Sequence, residues 1–219
     1  MTELKRWDTG AVIHSTDGDI RATVETAAKI GISCFRARLD RSSLDGASLV
    51  GASLVEASLV GASLVGARLD GARLDRASLD GASLDGARLD RASLDRASLD
   101  RASLVEANLD RASLVGARLV GARLDRASLD GASLDGASLV GASLVGARLP
   151  IYCRWPVTHT VAPDLLVHIG CKSKSVSDWD AWFAGSDEYD TQRDSDDFKS
   201  IRASYLAVRA YMVAMELVK

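Results

Sequence analysis

Few residues in this chain are suited to chemistry. Cys153, His159, His168 and Cys171 bring four metal-ligating side chains into one C-terminal stretch, and a zinc ion would take such thiolates and imidazoles in a tetrahedron. Zinc ligands come as tight pairs, however, and only His168 and Cys171 lie close together. The four therefore read as packed residues of a folded end and not as a metal centre. Serines are abundant, but a serine hydroxyl needs a neighbouring base to become a nucleophile, and His14, His159 and His168 are the only histidines. No phosphate-cradling glycine loop, dinucleotide fingerprint, HExxH or G-x-S-x-G element occurs. The chain is expected to be non-enzymatic, with no cofactor and no metal.

The totals narrow the partners. The 219 residues carry a net charge of −3 and a pI near 5.6, which gives no bulk basic field for nucleic acid and no polybasic tail for an anionic membrane. Direct nucleic-acid binding and membrane association are not expected. The opening MTELKRWDTG has no apolar signal-like segment, and no run of about eighteen apolar residues occurs anywhere. Three scattered cysteines, Cys34, Cys153 and Cys171, argue against a secreted disulfide framework. A cytoplasmic protein with reduced thiols is expected.

From Ala37 to Leu149 the chain repeats A-[S/R/N]-L-[D/V]-[G/R/E], with leucine at every fifth position and no insertion. A helix turns about 100° per residue, so leucines five apart would advance a net of about 140° and spiral around the cylinder. A long amphipathic helix is excluded. Within one pentad the residues alternate, Ala in, Ser out, Leu in, Asp out, which is the period of a strand. Five is odd, so the chain must turn once per pentad to keep every leucine inward. Short strands joined by regular corners wind into a solenoid. Glycine suits the fifth slot as a corner, while Arg76, Arg91 and Arg96 in the same slot lead to the expectation that the corner does not require positive φ.

This pattern resembles the pentapeptide-repeat proteins, whose repeat is A-[D/N]-L-x-x and whose fold is a right-handed quadrilateral β-helix with four pentads per coil. The resemblance implies an all-β solenoid of about six coils, with domain boundaries at 1–31 for an N-terminal cap, 32–149 for the β-helix and 150–219 for an α+β C-terminal cap. The flanks DIRATVETAAKIGIS and VHIGCKSKSVSDWDAW are similar to those of phage and bacterial members of unknown role. One departure is plain: Asn precedes the leucine only at Asn108, Ser or Arg stands there elsewhere, and aspartate follows the leucine instead.

Both open ends of a β-helix need covers. AVIHS reads as a strand. Thr16 with Asp19 reads as a capping box for a helix running to Gly31, with Ile20, Val24 and Ala27 toward the first coil. ISCFR reads as a degenerate pentad with Cys34 in the leucine slot. Beyond Pro150, IYCRWPV and LLVHIGC read as strands, and Ser177 as the cap of a helix carrying Trp179, Trp182 and Phe183. A final helix is expected from Ser195. Its seam of Phe198, Ile201, Tyr205, Val208, Met212 and Met215 packs either on the rest of the cap or on a second copy as a homodimer.

Function then rests on the outward residues. The best-known activity of the resembled family is modulation of type II topoisomerases by a rod that mimics DNA, which needs about one negative charge per 1.7 Å. Residues 37–149 hold 13 Asp, 2 Glu and 14 Arg, and sorting the pentads four to a coil gives net charges of only +1, −2, +1 and −1 per side. Asp70, Asp90, Asp110 and Asp130 align in one column beside Arg68, Arg88, Arg91 and Arg111. The column is either an interleaved ion ladder or an acidic recognition stripe. Val50, Val55, Val60 and Val65 form an apolar ring, either strand propensity or a contact band. Serine columns such as Ser43, Ser63, Ser83 and Ser103 lack the flat threonine arrays of an ice-binding surface. The leading expectation is a non-catalytic interaction scaffold for an unknown protein partner, and the alternative is a DNA-mimicking topoisomerase modulator.

Overall fold

The computed structural model describes residues 1–134, 136–148, 157–160, 166–169 and 172–184. Strands β1 (Thr2–Lys5) and β2 (Val12–Thr16) form an antiparallel hairpin, with Leu4 opposite His14 and a bulge between Leu4 and Lys5. Helix α1 (Ile20–Lys29) follows. Its N-cap is Asp19, whose Oδ1 accepts the Ala22 amide at 2.8 Å. The expected box starting at Thr16 is thereby corrected: Thr16 lies before the cap, where its hydroxyl pairs with Thr23 at 2.8 Å and accepts the Gly18 amide. Val24 and Ala27 are fully buried and Ile20 packs partly against them, the face expected from their spacing.

Beyond Gly31 the repeats wind as a solenoid. Each second-slot residue forms an isolated parallel bridge with the residue twenty positions on, from Arg38 with Ser58 to Ser128 with Arg148. The pentads therefore stack in four columns. Four of the five amides of a pentad serve the backbone. In the pentads around the first coils, Leu39 donates to the Ser58 carbonyl at 2.7 Å, Arg41 to Val60 at 2.9 Å, Ala62 to Leu59 at 3.0 Å and Ser63 to Ser42 at 2.9 Å. Cys34 follows the same rule, donating to Ser53 at 2.8 Å while fully buried, so it holds a leucine slot as expected. Leucines 39 to 129 are at most 1% exposed. The interior among these pentads is filled by the buried leucines and alanines.

The corners correct one expectation. Every fifth-slot residue from Arg36 to Gly146 has positive φ, including Arg76 at 57°, Arg91 at 55° and Arg96 at 58°. Arginine and glutamate share with glycine a left-handed turn that costs an L-residue about 1–2 kcal/mol. The coil-to-coil hydrogen bonds on both sides of the corner fix that conformation whatever the side chain.

Beyond the repeats, β3 (Val157–Thr160), β4 (Leu166–Ile169) and β5 (Lys172–Ser175) form an antiparallel sheet, followed by α2 (Val176–Ala184). Helix α2 already includes Ser177, which is thus inside the first turn and not the cap. Trp179 is 1% exposed. The expected seam from Phe198 to Met215 lies outside the described residues, as do Cys153 and Cys171.

Candidate interaction surface

Because Ala and Leu fill the interior, only slots two, four and five reach solvent. The fourth-slot amide takes no part in the backbone ladder, and a buried or half-buried N–H without a partner is costly. The aspartates meet that need. Asp45 Oδ1 accepts the Val65 amide at 3.0 Å and the Ser63 hydroxyl at 2.5 Å, both from the next coil. Asp85 does the same for Val105 at 3.0 Å and Ser103 at 2.5 Å. Asp80 and Asp110 repeat the pattern. Asn108, in the second slot, reaches an equivalent amide within its own pentad, accepting from Asp110 at 2.9 Å. The aspartate after the leucine thus does from the coil below what an asparagine before the leucine does locally.

Where arginine replaces the overlying serine, the carboxylate takes an ion pair instead. Arg88 lies 3.4 Å and Arg68 3.8 Å from Asp70, whose two oxygens make no hydrogen bond. Arg118 reaches Asp100 at 2.5 Å, and Arg148 reaches Asp130. In the column singled out from sequence, Asp70 therefore meets two arginines, Asp90 meets Arg91 at 3.6 Å, Asp110 binds Ser128 and the Asp130 amide, and Asp130 meets Arg148. In the serine column, Ser63 and Ser103 donate to aspartates below them, while Ser83 stands over Val65.

Val50, Val60 and Val65 are 46%, 40% and 42% exposed, and Val55 is half-buried. Twenty-residue stacking places these four on successive sides of the coil. The geometry does not gather them into one patch.

Sequence reasoning missed a groove at the N-terminal junction. Trp7, in the hairpin turn, is 43% exposed and donates its indole N–H to the Glu56 carbonyl at 2.9 Å. With Glu56, Ala57, Ser58, Arg76 and Ser78 it lines an open cavity of about 450 Å³. Arg36 joins cap to coil: it pairs with Asp8 at 2.9 Å and Glu56 at 2.8 Å, and stacks 4.9 Å from the Phe35 ring centre. Glu56 and Asp8 hold the Arg36 guanidinium more strongly protonated than usual, and Arg36 keeps the Asp8 carboxyl below its ordinary range. The only sequence signal was a single tryptophan apart from the C-terminal ones. Burial pushes the Cys34 thiol up to about 11, so it is a core residue with little thiolate character. No cluster of metal-ligating side chains occurs among the described residues.

A stack of pentads around a closed apolar interior defines a β-helical repeat protein. The family profile for pentapeptide repeats matches residues 32–71, 72–111 and 112–149 (8 copies), more than half of the sequence. The chain belongs to the pentapeptide-repeat family, and membership implies the right-handed β-helix expected above. No curated protein matches it. Among solved structures it is similar to a pentapeptide repeat protein of the Arabidopsis thaliana thylakoid lumen, at 30% identity and TM-score 0.38 over 39% of this chain and 59% of that one. It is also similar to HetL of the cyanobacterium Nostoc, a protein involved in heterocyst differentiation regulation, at 34% identity and TM-score 0.27 over 52% and 68%. The plasmid-mediated fluoroquinolone resistance protein QnrB1 matches at 18% identity and TM-score 0.37 over 50% and 69%. The chain thus spans somewhat over half the length of the Arabidopsis protein. Among the described residues no helix is long and apolar enough to cross a membrane.

Proposed function

We propose that this protein is a non-catalytic scaffold that presents the sides of its β-helix to a protein partner. One observation carries the reading. Wherever a serine stands above an aspartate of the preceding coil, its hydroxyl, the group with chemical potential, is bonded to that carboxylate. What is left for recognition is the shape and charge of the sides. Photocrosslinking residues placed in turn at Val50, Val55, Val60 and Val65 would sample all four sides of the full-length protein in its native cell. A discrete protein adduct from one or two sides supports the scaffold, and no adduct from any side overturns it. The column from Asp70 to Asp130 is proposed as part of the structural ladder and not as an acidic stripe, since each carboxylate has a partner.

Topoisomerase modulation by DNA mimicry is the weaker reading, because the four sides of the repeat are nearly neutral and a mimic needs rows of unpaired negative charge. A supercoiling assay in which the protein leaves DNA gyrase unaffected would remove it. Homodimerisation through the seam from Phe198 to Met215 is a separate proposal, which a monomeric full-length protein in light scattering would end.

A further inference from the structure

Part of one side, three coils long with its flanking corners, departs from the near-neutral charge of the sides as a whole. Arg73 bridges Ser93, and Ser93 bridges Ser113, so three pentads of one column lie on consecutive coils. Their flanking corners are Gly71, Arg91 and Arg111 on one edge and Arg76, Arg96 and Gly116 on the other. This rectangle carries five arginines against Asp75 and Asp95, in a chain whose net charge is −3. Both aspartates are occupied: Asp75 accepts from Ser93 and lies 3.5 Å from Arg73, and Asp95 accepts from Ser113 and, at 3.2 Å, from the Val115 amide. Arg76 and Arg91 have partial partners in Glu56 and Asp90, each 3.6 Å away. Arg96 and Arg111 are exposed and have no ion pair among the described residues.

These arginines are held where arginine is disfavoured. Arg96 and Arg111 sit at φ 58° and 59°, in a slot that other corners fill with glycine. At Arg36 the strain is offset by two ion pairs. Arg41 and Arg101 take the same conformation, also without an ion pair among the described residues, so what marks Arg96 and Arg111 is not the strain but their unpaired charge beside Arg91 on one face. The Arg96 stem does lie over Gly116, 3.5 Å from where a Cβ there would stand, and that packing is the competing explanation.

We propose that this basic face binds an acidic segment of a partner protein, through carboxylates that pair with Arg91, Arg96 and Arg111. Guanidinium groups fit carboxylates in planar, two-point pairs. A duplex nucleic acid suits the face less well, because its charge recurs about every 1.7 Å along a long rod, whereas this face spans three coils with Asp75 and Asp95 in its midst. The proposal rests on the scaffold reading and deepens it. Its failure is distinguishable, because Val55 lies in this column while Val50, Val60 and Val65 lie on the other three sides, so an adduct from those sides without hexaglutamate binding keeps the scaffold and ends this proposal.

The test uses the full-length protein and its R96G/R111G variant, with a fluorescent hexaglutamate peptide and a short DNA duplex as probes. Glycine is the residue that the corner geometry prefers, so the variant is expected to melt no lower than the parent. The parent is expected to bind hexaglutamate at low salt, more tightly than the duplex, and the variant about tenfold more weakly. R41G, at another corner, should leave the affinity unchanged. Tighter binding of the duplex, equal binding by parent and variant, or no binding by the parent overturns the proposal. A lower melting point for R96G/R111G overturns it too, since the arginines would then serve coil packing.

Discussion

At the scale of the residue, two slots explain most of what is unusual in this repeat. The corner takes positive φ regardless of side chain, so its cost falls on every residue except glycine. Gly71 has no atom within 4 Å of an added Cβ, and Gly71→Ala therefore isolates the backbone term from steric clash. It should lower stability by about 1 kcal/mol in a denaturant melt. A neutral result would mean that the corner does not carry the strain assigned to it. The fourth-slot aspartate offers a second test. Asp85→Ala leaves the Val105 amide and the Ser103 hydroxyl without their acceptor and should cost about 1–2 kcal/mol, whereas Asp85→Asn keeps an acceptor oxygen and should cost less. Neither role was legible in the sequence. Arg and Gly alternating at one slot suggested a permissive corner, because the hydrogen bonds that fix it come from other coils. The partners of Asp85 stand eighteen and twenty residues away in the chain and become neighbours only once the coil length is known.

At the scale of the element, the N-terminal cap works by supplying side-chain acceptors and donors to an edge that has no further coil beneath it. Arg21 and Glu25 lie one turn apart on α1 and pair at 3.3 Å. Glu25 Oε1 also accepts the Ser48 amide at 2.8 Å, and Arg21 donates to the Gly46 carbonyl at 3.2 Å. The apolar face of α1 was readable from spacing, since Val24 and Ala27 must face inward together. The polar half was not, because it depends on which amides the first coil leaves open. Glu25→Ala should lower stability by about 1–2 kcal/mol, and Glu25→Gln should retain most of it, measured by the same melt. The clasp at Arg36 gives this cap a pH dependence. Asp8 has its folded pKa depressed by Arg36, so its contribution is present above its unfolded pKa and is lost as pH falls through the folded value. The difference in stability between the parent and Asp8→Asn is therefore expected at neutral pH and should vanish below the ordinary carboxylate range. A difference that persists in strong acid would assign the effect to packing.

At the scale of the whole molecule, the core and the surface obey different rules of register. Every pentad offers the same Ala and Leu inward, so any pentad can stack on any other, and each coil contacts only its neighbours. The surface has no such freedom, because a column exists only if residues twenty apart have been matched. Deleting half a coil, Ala77 to Gly86, joins Arg76 to Ala87 and keeps the pentad phase. It also turns everything beyond by two sides, so that Arg73 would be stacked beneath Ser103 instead of Ser93. Asp70 and Asp75 would then lie beneath Ser98 and Ser103, which can still donate to them. The ladder survives while the basic face bounded by Arg91 and Arg96 is carried away from Arg73 and Arg76. The shortened protein should give the same circular dichroism per residue and a cooperative melt, and bind hexaglutamate with little loss, because Arg91, Arg96 and Arg111 stay together on adjoining coils. An unfolded product would mean that the columns, and not the pentads alone, specify the solenoid. A marked loss of binding by a folded one would mean that Arg73 and Arg76 also take part in recognising the acidic probe.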